Sequence, residues 1–134
     1  MKTEINDYLQ LLARIFMSGL FLYSGIGKLM APEATMAYIG NAGLPMPSMA
    51  YAVALIVELT LPLALIIGYR LPAAAIGLGI YTLATALVFH SNFSEKMQVI
   101  AFLKNAAIFG GLLQMAISGT GRFSIERETD QNNR

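Results

Sequence analysis

Residues 49–69 read MAYAVALIVELTLPLALIIGY. Glu58 stands near the middle of this apolar run, and Pro62 follows one helical turn later. A run of about 20 apolar residues is the length that crosses the hydrocarbon core of a bilayer as an α-helix. A carboxylate at the centre of such a helix is costly unless paired, which makes Glu58 a site candidate by default. Pro62 has no N–H, so the backbone carbonyl of Glu58 loses its ladder partner. One turn thus presents a carboxylate and a free carbonyl, and both need a donor from a neighbouring helix or water.

The composition agrees with a membrane environment. Of 134 residues, 56% are hydrophobic and 13% charged, the latter about half the soluble-protein norm, and the mean hydropathy is +0.59. The length fits one domain. A net charge of +1 without a basic stripe gives no footprint for nucleic acid. With no cysteine and a single histidine, the chain has no thiol chemistry, iron–sulfur ligation or bis-histidine haem of its own, and no metal site is expected. The lead MKTEIND sets Glu4 and Asp7 against Lys2, and no small-residue cleavage site follows. The first apolar run is therefore read as a retained helix, not a signal peptide.

Working outward from the Glu58 helix, apolar runs predict helices over about 8–30, 49–69, 72–89 and 97–118, an all-α four-transmembrane-helix bundle. Pro32 and Glu33 suit the start of a short interfacial helix through ATMAYI, ahead of the elbow AGLPMP. A flexible loop is the other reading of that stretch. Residues 1–121 form the membrane domain and 122–134 a polar tail without apolar period. Arg14, Ser18, Phe21, Gly25 and Lys28 fall on one face of the first helix, which should point into the bundle. Small-residue pairs, Ala73/Gly77 and Ala75/Gly79 in the third helix and Ala106/Gly110 and Ala107/Gly111 in the fourth, suit close helix packing. Lys2, Arg70, Arg122, Arg127 and Arg134 group on the side of the termini, against Lys28 and Lys96 opposite. The positive-inside rule then places both termini in the cytoplasm.

Counting about 1.5 Å per residue from the helix ends places Lys104 within about a turn of Glu58 in depth, with Arg14 reaching up from the other side. The sequence predicts a buried Arg14–Glu58–Lys104 network supported by Asn105 and Ser18, with Lys28 and His90 in a wetter mouth above it. The excess of basic groups around one carboxylate suits a quinone carbonyl, a small anion or a lipid head group better than a metal cation. A buried ion pair can also fix helix register without a chemical role. A lysine near a helix end can simply snorkel.

These residues and their contexts, SGIGKLMAP (24–32), AGLPMP (42–47), VELTLPLALIIGY (57–69), TALVFHSNF (85–93) and FLKNAAIFGGLLQMAISGTGRFSIER (102–127), resemble the DoxX family of small membrane proteins. The resemblance implies a four-helix bacterial inner-membrane protein whose polar pattern falls on Arg14, Lys28, Glu58, His90, Lys104 and Asn105. It also implies a link to quinone-dependent oxidoreductase systems, such as thiosulfate:quinone oxidoreductase, or to oxidative-stress complexes with soluble partners. The expectation is a subunit that binds a quinone or another small ligand and leaves the redox chemistry to that cofactor or a partner protein. A small solute or lipid transporter and a purely structural scaffold are the alternatives, and a homo-oligomer is compatible with each.

Overall fold

The computed structural model describes residues 1–126. Among them run five helices: α1 (Lys2–Met30), α2 (Pro32–Asn41), α3 (Pro47–Ile67), α4 (Leu71–Phe89) and α5 (Lys96–Ser118). Four of these, all but α2, are long and apolar enough to cross a membrane. Proline opens α2, α3 and α4 at the first or second position, where its missing N–H costs nothing and its fixed φ suits the helix. The predicted interfacial helix is present as α2. Helix α1 begins six residues earlier than its apolar run, at Lys2, with Glu4 in its first turn, where a negative charge complements the helix dipole.

The connections are short because special backbone conformations close them. Met46 (φ 54) and Arg70 (φ 43) both take the left-handed region immediately before a helix. Gly68 (φ 73) ends α3 with its N–H and that of Tyr69 returning to the carbonyls of Leu65 and Ala64, the αL closure for which glycine is favoured. Pro62 lies inside α3 without ending it. The donor that reaches this turn is Ser18 Oγ, which bonds the carbonyl of Pro62 itself at 2.9 Å.

Helix α1 packs along α3 and α4 along α5, with α3 against α4 joining the two pairs. Helices α1 and α5 scarcely touch. The core lies among Phe21, Leu65, Leu71, Ala74, Ala75, Leu78 and Leu112. The predicted inward face of α1 is buried at Arg14, Ser18, Phe21 and Gly25. Phe16, Leu20, Ile56, Leu63, Ile80 and Leu87 are exposed, an outer surface of the kind lipid covers. The Ala75/Gly79 pair works as expected: Ala75 is buried, and a Cβ on Gly79 would stand 2.9 Å from Phe109 of α5. The Ala106/Gly110 and Ala107/Gly111 seam does not. Ala107 and Gly110 face outward with open space over Gly110, and only Gly111 meets a neighbour, Met17 of α1.

The segment after α5 is bonded back onto the bundle. Residues 122–126, the start of the predicted polar tail, keep Arg122, Ile125 and Glu126 exposed but tie their polar groups to the ends of α1 and α3. Ile125 N–H donates to the carbonyl of Ile67 at 3.0 Å, Arg122 N–H to Asp7 Oδ1 at 3.0 Å, and Arg70 N–H to Glu126 Oε2 at 2.9 Å. The rings of Tyr8 and Phe123 pack with centroids 5.0 Å apart. The rest of that predicted tail lies outside the described residues.

Candidate functional site

Glu58 is 4% exposed, and its carboxylate has found two donors. Lys28 Nζ lies 3.0 Å from Oε1 and 2.9 Å from Oε2, and Tyr81 Oη donates to Oε1 at 2.6 Å. Lys28 Nζ also donates to Ser24 Oγ at 2.6 Å, so its three N–H groups are all used. The result is a chain of polar groups from α4 through α3 to α1: phenol, carboxylate, ammonium, hydroxyl. Lys28–Glu58 is the salt bridge among the described residues. Helix α1 can lie this close because Gly25 has no side chain, since a Cβ there would stand 2.8 Å from Leu59 Cδ2 and 3.1 Å from Glu58 Cβ.

This cluster forms part of the wall of a cavity of about 710 Å³. Most of the remaining wall is apolar: Phe21 from α1, Ile39 from α2, Val53 and Ala54 from α3, Val88 from α4 and Ile108 from α5. Helix α2 and the elbow close one end, with the rings of Tyr38 and Phe89 stacked 5.2 Å apart. His90 and Asn105, with Thr35, Thr82 and Thr85, add to the polar lining. His90 Nδ1 lies 3.0 Å from Gln98 Oε1, and Asn105 Nδ2 makes a long 3.4 Å bond to the carbonyl of Thr82. A cavity of this size, mostly apolar with a few convergent polar groups, is the form that small-molecule sites take.

The family model described as DoxX matches residues 9–91. The chain belongs to the DoxX family. It is similar to inner membrane protein YqjF of Escherichia coli (strain K12), with 36% identity covering 92% of this chain and 94% of that protein. It is also similar to inner membrane protein YphA of the same organism, with 32% identity covering 89% of each. No solved structure matches. Four apolar helices and inner-membrane relatives together support a multi-pass inner-membrane protein. The DoxX match spans Arg14, Lys28, Glu58, Tyr81 and His90 and ends before Lys104 and Asn105.

The structure of this DoxX protein rearranges the predicted network. Arg14 does not meet Glu58. It is 1% exposed, and its guanidinium donates to the carbonyls of Leu65 (3.2 Å), Ile66 (3.0 Å) and Phe123, capping the end of α3 and pinning the tail. Leu65 lies about 10 Å along α3 from Glu58, beyond the reach of one side chain. Lys104 does not meet Glu58 either. It is exposed on the outer face of α5, rotated away from the cavity that its neighbour Asn105 lines. Lys28, expected at a wet mouth, is the actual partner of Glu58, with a side chain 27% exposed.

Depth counting failed because it set α1 and α3 flush at one membrane face. Gly25, five residues from the end of α1, is level with Glu58, eleven residues into α3. The end of α1 is therefore sunk by about 9 Å relative to the start of α3, and α2 with the elbow fills that height. Tyr51 Oη confirms the register by donating to the carbonyl of Lys28 at 3.0 Å. Sequence reasoning did not single out Tyr81. Its signal was present: a polar-tipped aromatic mid-way along a membrane helix whose other hydroxyls, on Thr82 and Thr85, can bond carbonyls of their own helix, whereas the phenol needs a partner elsewhere.

Proposed function

We propose that this protein is a quinone-binding membrane subunit of a redox assembly, with the cavity beside Glu58 as the ligand site. The observation that carries the reading is the pairing of a large, mostly apolar cavity with polar groups of both signs of hydrogen bonding on its lining. The donor set fits a quinone head group. Asn105 Nδ2, engaged only by the long bond to Thr82, is available to a carbonyl oxygen. His90 Nδ1 pairs with Gln98 Oε1, and in the tautomer with the proton on Nδ1 the other ring nitrogen, Nε2, is an acceptor for a hydroxyl. A quinone, when bound, supplies two-electron, two-proton redox chemistry.

The chain's own residues do the rest. Apolar side chains of α1, α3 and α4 keep bulk water from the ring and tail. Tyr81, Glu58, Lys28 and Ser24 form a contiguous hydrogen-bonded line along the cavity wall, in which Glu58 accepts from both Tyr81 and Lys28. Both termini in the cytoplasm, as the basic residues favour, would put the His90 end of the cavity toward the periplasmic face.

Calorimetric titration of the purified protein with short-tailed ubiquinone and menaquinone analogues tests the reading. Saturable binding is expected. An Asn105→Leu or His90→Phe change should weaken it about tenfold, the scale of one hydrogen bond to a buried polar ligand group. Absence of binding up to the solubility limit overturns the proposal.

A further inference from the structure

Arg14, Lys28, Glu58 and Lys104 are the charged side chains inside the apolar runs. All but one are answered within the chain. Arg14 holds three carbonyls, and Lys28 and Glu58 hold each other. Lys104 is exposed on the outer face of α5 and has neither a hydrogen bond nor an ion pair among the described residues. Its depth denies it an easy route to water. It stands eight residues past the start of α5, about 12 Å along the helix and farther than a lysine stem reaches by snorkelling. The contacts of its neighbours agree. Asn105 bonds the carbonyl of Thr82, and Tyr81, next to Thr82, donates to Glu58. Lys104 therefore starts from about the level of the buried ion pair but faces hydrocarbon, where a cation is costly and calls for a counter-charge at the same depth.

The surface around Lys104 can receive a helix. Leu103, Ala107, Gly110, Gln114 and Ile117 are exposed, and their spacing aligns them on one face of α5 beside Lys104. A Cβ on Gly110 would meet nothing within 4 Å, and small residues such as Ala107 and Gly110 let a second backbone come close. Helix α5 is also the least buried of the four spans. A second copy does not supply the missing acid. Glu58 is engaged, and the other described carboxylates, Glu4, Asp7, Glu33, Glu95 and Glu126, all lie outside the apolar runs. A two-fold contact through α5 would set Lys104 against Lys104.

We propose that the outer face of α5 docks a transmembrane helix of a different protein, and that this helix carries an aspartate or glutamate opposite Lys104. The Lys104 ammonium donates to that carboxylate, which removes the cost of an unpaired charge in lipid from both chains. Ala107 and Gly110 lie under the partner backbone, with Leu103 and Ile117 packing at either end. The interface is separate from the quinone site, because Lys104 lines no part of that cavity. Either reading can therefore fail alone.

Photo-crosslinking of the full chain in the membranes of its native cell tests the proposal. A benzoylphenylalanine is placed at position 107 on the outer face of α5 and, as a control, at position 80 on the outer face of α4. Position 107 should cross-link to one membrane-spanning protein that has an Asp or Glu within a span, and position 80 should not. Lys104→Gln should lower that yield at least about tenfold, and Lys104→Glu further, as for loss of one member of a buried charge pair. Changing the partner's acid to Lys in the Lys104→Glu background should restore it. Helical circular dichroism of both variants checks that the bundle is intact. Cross-links to lipid alone, to a second copy or to a span without an acid would overturn the proposal. So would a yield unchanged by Lys104→Gln, or no recovery with the reversed pair.

Discussion

The coupling between Lys28 and Glu58 can be measured by a double-mutant cycle. The two ends of the pair are unequally buried, with side chains 27% and 5% exposed respectively. Removing one partner of a buried pair costs about 3–5 kcal/mol because the other charge is left uncompensated. Lys28→Met strands the carboxylate, the more buried end, and belongs in that range even though Tyr81 still donates to it. Glu58→Leu strands an ammonium that keeps part of its solvent contact and its bond to Ser24, so about 2–3 kcal/mol is expected after discounting for exposure.

The double variant leaves no buried charge, and apolar replacement of such a pair is often close to neutral. The cycle should therefore return a coupling of about 5–8 kcal/mol, above the roughly 0.5–3 kcal/mol usual for contacting residues, because each single variant strands a charge that the double variant does not have. The chain has no tryptophan, so unfolding is followed by far-ultraviolet circular dichroism during denaturing-detergent titration in mixed micelles. A parallel cycle between Arg14→Gln and Glu58→Leu should be additive within about 0.5 kcal/mol, as for sites without shared partners. The reasoning fails if the Lys28 cycle is additive and the Arg14 cycle is not.

Gly25→Ala places a methyl 2.8 Å from Leu59 and 3.1 Å from Glu58, and overpacking at this contact should cost about 1–3 kcal/mol in the same unfolding assay. Gly68→Ala meets both a left-handed φ of 73° and the side chains of Ser124 and Arg14. Beyond destabilising the fold, it should speed hydrogen exchange at the Ile125 amide, which bonds Ile67. Lys104→Leu, on the outer face of α5, should leave quinone-analogue affinity within about twofold of wild type, because it touches neither the cavity nor its polar groups; a loss matching Asn105→Leu would place Lys104 in the site after all. Tyr81→Phe leaves Glu58 with Lys28 alone and should cost about 1.5–3 kcal/mol, the scale of a hydrogen bond to a charged group.

The sequence by itself determined that there are four spans, that α1 turns Arg14, Ser18, Phe21 and Gly25 inward, and that Glu58 must be paired. Those conclusions rest on length, helical period and the cost of charge in hydrocarbon, all of which are properties of one segment at a time. Which base pairs with Glu58 was decided only in three dimensions. It depends on how far one helix slides along another, and Gly25 sets that slide by letting α1 close on α3 at the level of the acid. It depends also on how α5 is rotated, since one residue step of about 100° separates Asn105 in the cavity from Lys104 outside it. The role of Arg14 needed the docked tail, because one of its carbonyl partners belongs to residue 123, more than a hundred positions away in the chain.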